Sequence, residues 1–106
     1  MSVRQLLARR RRLGSAVADP EGTLRGVVLH AGRRCSSAGC RCRRGELHGP
    51  YAYLATYSDR RSRTIYVPAA SAEVVEERVA LTQRSEELLA EISLINLELL
   101  RRRALG

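Results

Sequence analysis

Three cysteines and a histidine share one short segment, CSSAGCRCRRGELHGPY, residues 35–51. The spacing is Cys35-x4-Cys40-x-Cys42-x5-His48, and the chain has no other cysteine. Three thiolates and one imidazole make a Cys3His set, the closed tetrahedral coordination of structural zinc. Cys40 and Cys42 lie two apart, so an extended backbone points both to one side. Gly39 and Gly45 offer the tight turns that bring Cys35 and His48 around an ion. Arg33, Arg34, Arg41, Arg43 and Arg44 favour the thiolate forms and offset their negative charge. The expectation is one structural zinc per chain on Cys35, Cys40, Cys42 and His48, with His30 the competing fourth ligand.

Catalysis at such a zinc is not expected. It needs an open coordination position and a nearby general base. Glu46 is the only carboxylate in the segment, and the H-x-E with P-C-x-x-C signature of zinc deaminases is absent. Thiol redox chemistry lacks its CxxC motif and its βαβ context. No small-molecule substrate site is evident, so the reading is of a protein that is not an enzyme.

The elements that position this segment are legible on either side. SVRQLLARRRRLG reads as a short basic helix within residues 1–14, with Ser2 as N-cap and Gly14 as stop. TLRGVVLH reads as a strand centred on Val27, Val28 and Leu29. YAYLATY and RTIYV form a hairpin joined by the polar turn SDRRS. The loop and hairpin together span residues 24–68. Pro68 ends the second strand, and Ser71 caps a helix expected over 71–103. In that helix Val74, Leu81, Leu88 and Ile95 recur every seven residues, with Ile92 and Leu99 between them. Leu81, Leu88, Ile92, Ile95 and Leu99 are therefore the candidate interface for a homodimer, the alternative being that they pack within the chain.

Charge is unevenly distributed over the 106 residues, whose net charge is +8. Residues 1–68 hold fourteen arginines against Asp19, Glu21, Glu46 and Asp59, a net +10, whereas residues 69–106 hold five arginines against seven glutamates, a net −2. No lysine occurs. A basic two-thirds points to a polyanion partner, most simply DNA or RNA. The candidate contacts are Arg9, Arg10, Arg11 and Arg12 on the first helix, Arg33, Arg34, Arg41, Arg43 and Arg44 around the cysteines, and Arg60, Arg61 and Arg63 in the hairpin. Tyr51, Tyr53, Tyr57 and Tyr66 are the only aromatics, since Phe and Trp are absent. They are expected chiefly in the core beneath the long helix, which leaves the turn arginines as the better contacts. No apolar run of signal-peptide length follows the first arginines, and no stretch approaches the ~20 apolar residues of a membrane span. A cytoplasmic protein with reduced thiols and no membrane partner is expected.

The segment CSSAGCRCRRGELHGPYAYL, with TIYVP and EISLINLELLRR, resembles a family of short prokaryotic proteins known as a domain of unknown function. Its pattern is Cys-Gly-Lys-x-x-Cys-x-Cys-x-x-Gly-x-x-His-Gly-Pro-Tyr, followed by a hairpin and a long helix. The resemblance runs from about Leu24 to Arg103, and Ser36 and Ser37 replace the Gly-Lys pair. It implies that Cys35, Cys40, Cys42 and His48 act as a unit. The fold class read from the chain is α+β: a small antiparallel sheet with a zinc-knuckle-like loop, a short N-terminal helix and a long C-terminal helix, in a single domain. The function read from it is non-catalytic nucleic-acid binding, with a helix-mediated protein-interaction module as the alternative.

Overall fold

The computed structural model describes residues 1–17, 20–35, 37, 39–40 and 44–106. Helix α1 spans Val3–Ser15, strands β1, β2 and β3 span Val27–Arg33, His48–Ser58 and Arg61–Val67, and helix α2 spans Ala72–Arg101. The sheet is antiparallel in the order β1-β2-β3. This is the expected α+β architecture: a short N-terminal helix, a small sheet and a long C-terminal helix. No described helix is long and apolar enough to cross a membrane.

Two compact units share the chain, residues 24–79 and residues 1–23 with 80–106. In the first, alternation along β2 turns Leu54 and Ala52 to one side. There Leu54 packs with Val67 and Val79, all buried, and with half-buried Leu24, Val28, Ala72 and Val75. The tyrosines take the other side. Register pairs Tyr53 with Leu29 and Tyr66, and Tyr51 with Ala31, so these side chains share the face opposite Leu54. Tyr66 meets Tyr51 and Tyr53 edge-on, with ring centroids 6.2 and 5.9 Å apart. Tyr66 is 50% exposed and Tyr57 68%. The tyrosines are thus not the core: aliphatic residues fill the space beneath the helix, and the rings are left outside.

The hairpin turn is tighter than the SDRRS segment suggests. Ser58 pairs with Arg61, leaving a two-residue loop in which Asp59 and Arg60 both have positive φ, 52° and 64°. That is the type I′ pattern, whose twist matches the strands. The position is one that glycine fills most cheaply, and Arg60 sits there with a backbone cost of about 1–2 kcal/mol.

In the second unit α1 lies against the C-terminal part of α2. Ser2 caps α1 through a reciprocal box: Gln5 N donates to Ser2 Oγ at 3.1 Å, and Ser2 N donates to Gln5 Oε1 at 2.8 Å. The helix runs through Gly14 to Ser15. Leu6, Ile95 and Leu99 form a buried cluster, with Val3, Leu13 and Ala104 packed on it. Leu99 is fully buried, and Leu99→Ala would cost about 2–5 kcal/mol. The end of α2 is a Schellman motif. Arg103 takes φ 58°, Ala104 N donates to Leu99 O, and Arg103 N donates to Leu100 O. At the start of α2 Ser71 belongs to a single 3-10 turn, Ala69–Ser71, and its amide donates to Pro68 O.

Glu98 ties the last turn together, accepting from Arg101 Nε at 2.8 Å and Arg102 Nε at 2.9 Å. Hydrogen bonds from Arg101 and then Arg102 hold its carboxyl at about 2, below the ordinary 4.5. A lowered value means the ionised form is the one the fold favours, so its contribution is present above pH 4.5 and lost as pH falls through about 2. A carbon-detected NMR titration of Glu98 should give a midpoint well under 4.5, moving up toward it when both Arg101 and Arg102 are replaced by Gln.

Candidate metal centre

Antiparallel pairing builds the centre. Arg33, at the end of β1, faces His48, at the start of β2, after a register shift between Ala31 and Arg33. The chain leaving β1 therefore starts its loop beside the residue at which it returns. Gly32 lets the strands close here, since a Cβ would stand 2.7 Å from Leu47 Cβ. Gly45 (φ 105°) and Gly49 (φ 104°) turn the returning chain through backbone conformations that side chains disfavour. Gly39 is different: its φ is not in that range and a Cβ would meet open space, so the turn there does not demand glycine.

The result is a cluster of Cys35, Cys40 and His48 whose ligand atoms all lie within 4.8 Å of one another. All three residues are half-buried. Cys40 Sγ lies 3.0 Å from His48 Nε2. The Ser37 carbonyl accepts from Cys40 N at 3.3 Å and from the Cys35 thiol at 4.0 Å, so it ties the loop from both sides. Two soft sulfurs and an imidazole nitrogen suit a borderline transition ion. These three residues are close enough to bind a metal ion. Cys42, Arg41 and Arg43 lie outside the described residues.

His30 is not part of this cluster. It sits on β1 opposite Ala52, on the face that carries Leu54, and its Nε2 lies 3.5 Å from Glu76 Oε1.

The expected arginine contacts divide. Arg33, Arg34 and Arg44 are exposed around the cluster, and Arg60 and Arg61 are exposed at the hairpin tip. Arg63 pairs with Asp59 at 3.7 Å. In the other unit, the four consecutive arginines of α1 serve two ends. Arg9 pairs with Glu91 at 3.4 Å and Arg10 Nη1 donates to Asn96 Oδ1 at 2.8 Å, whereas Arg11 and Arg12 line an open concavity with Leu7, Ala8 and Ser15. Sequence reasoning placed the tyrosines chiefly in the core, whereas they stand on the face opposite it. The alternation was visible, but nothing in the spacing said which face the helix would cover.

The fold and site define a small α+β protein in which Cys35, Cys40 and His48, at one end of a three-stranded sheet, lie close enough to bind a metal ion. The chain belongs to the DUF6788 family, a domain of unknown function, whose model matches residues 3–77. The match takes in α1, the sheet and the cluster, and stops within the first turns of α2. No curated protein and no solved structure matches the chain.

Because His48 joins the cysteines and His30 pairs with Glu76, replacing each histidine should have different effects. His48→Ala is expected to weaken metal binding by roughly tenfold or more, and His30→Ala to leave it unchanged. Cobalt titration followed by its thiolate charge-transfer absorption reads both.

Proposed function

We propose that this protein is a non-catalytic, zinc-stabilised nucleic-acid-binding protein. The reading rests first on the tyrosine face of the sheet. Tyr51, Tyr53 and Tyr66 stand together on the side away from the aliphatic core, with Leu29 at 47% and Val27 at 52% exposure on the same face. An open sheet face carrying clustered rings is the kind of surface on which unpaired bases stack, at about 1–3 kcal/mol per base.

Charge supports the same partner. Residues 24–68 hold nine arginines against Glu46 and Asp59, a net +7. Arg60 adds a more pointed argument. It occupies a left-handed turn position that glycine would fill at lower cost, and strain retained at an exposed tip is a mark of use. In this reading Arg60 and Arg61 contact phosphates from the hairpin tip, Arg33, Arg34 and Arg44 do so from the loop, and Arg41 and Arg43 extend that patch. Arg11 and Arg12 are the candidates on α1.

Zinc is the ion that best suits the donor set. Cys35, Cys40 and His48 supply three ligands, and Cys42, two residues from Cys40 in sequence, is the proposed fourth. A closed Cys3His site has no open position, so its role is to hold the loop and its arginines rigid. Such a site requires reduced thiols, which fits a cytoplasmic setting.

The test measures affinity for single-stranded and duplex oligonucleotides over a range of salt. The seven arginines of the hairpin tip and loop predict a log–log slope of about −5 on single strands and about −6 on duplex, and a slope near zero would sink the reading. Arg60→Gly should raise stability by about 1 kcal/mol while weakening binding, which separates use of this side chain from its backbone cost. Tyr66→Ala should weaken single-strand binding by roughly fivefold or more with the salt slope unchanged.

A further inference from the structure

The heptad residues expected to join two copies are partly spent within the chain. Ile95 and Leu99 are buried against Leu6, and Leu88 and Ile92 are half-buried. A different face of α2 is left bare. Leu89, Leu94, Leu97 and Leu100 are 52%, 67%, 57% and 58% exposed. At 100° per residue they lie on the side away from Ile95 and Leu99, flanking exposed Ala90 and Ser93. Four large apolar side chains on one helix face are a poor solvent surface and a good interface.

We propose that this face pairs α2 with α2 of a second copy in an antiparallel, two-fold arrangement. Charge along the helix selects both partner and direction. Residues 80–92 hold Arg84 against Glu86, Glu87 and Glu91, a net −2, while residues 93–106 hold Glu98 against Arg101, Arg102 and Arg103, a net +2. Parallel pairing sets like charge on like, whereas antiparallel pairing sets each half on its opposite. A two-fold axis between Ser93 and Leu94 brings Glu86 against Arg101 and Ala90 against Leu97. The small residues then receive the large ones, and the same patch serves both copies. Each copy contributes a pair of helices, α1 and α2, and the cluster that joins them has only three buried residues among those described, Leu6, Ile95 and Leu99. Two such pairs make a four-helix assembly, the usual way such helices gain a full core.

Light scattering of the full metal-bound chain, free of nucleic acid and over a concentration series, tests this. The expected mass is twice the 11.8 kDa of one chain. Leu94→Glu with Leu97→Glu should return it to one chain with helical circular dichroism kept. A wild-type monomer throughout, or a dimer indifferent to these changes, overturns the proposal. Should the glutamates cost the helical signal, Leu94→Ala with Leu97→Ala is read instead, and association weaker by roughly tenfold or more supports the interface while unchanged association overturns it. Glu86→Arg and Arg101→Glu should each weaken the dimer and together restore it; failure of the restoration overturns the antiparallel register.

Discussion

The pairing of Arg33 with His48 is the constraint on which the rest of the sheet unit depends. It closes the loop of residues 34–47, fourteen residues long, between two antiparallel strands. Hairpin loops are ordinarily two to five residues, and a connection of this length needs something to hold it. Here the strand ends deliver Cys35 and His48 to the same place, and Cys40 reaches them from the loop. The backbone ladder thus brings two of the three potential ligands together by itself. An ion shared by these three residues would add a staple to a chain that has no Phe and no Trp for its core.

Those missing aromatics also explain the division of labour across the sheet. Leu54, Val67, Val79 and Val28 suffice to fill the space under the first turns of α2, because their small, branched shapes pack closely there. The tyrosines, larger and each with a hydroxyl to keep wet, are turned to the opposite face. One face of the sheet carries the aliphatic core and the other carries the tyrosines. Arg60 follows the same logic on a smaller scale, standing where glycine would serve the turn better.

Much of this was legible in the sequence. The hairpin, the long helix, the basic N-terminal helix and the Cys/His segment each have a local signature: alternation, a capping serine, a glycine-bounded cluster. The decisions that escaped it are decisions between faces. Alternation put Tyr51 and Tyr53 together but was silent on whether α2 would cover them or Leu54. The heptad of Ile92, Ile95 and Leu99 correctly marked an apolar seam, yet Leu6 and Leu13, far away in sequence, occupy part of it. The five-residue turn expected at SDRRS closed to two because neither Asp59 nor Arg60 announces a positive φ as glycine does. His48 was the expected ligand with His30 as its competitor, and the structure groups His48 with the cysteines while His30 lies beside Glu76.

Native mass spectrometry of the protein purified without added metal tests the central claim most directly. One zinc ion per folded chain is expected, retained through desalting and lost together with order in the loop when the thiols are protonated. A folded chain with the mass of the polypeptide alone and three freely reactive thiols would contradict it, and Cys35, Cys40 and His48 would then be neighbours with no ion to share.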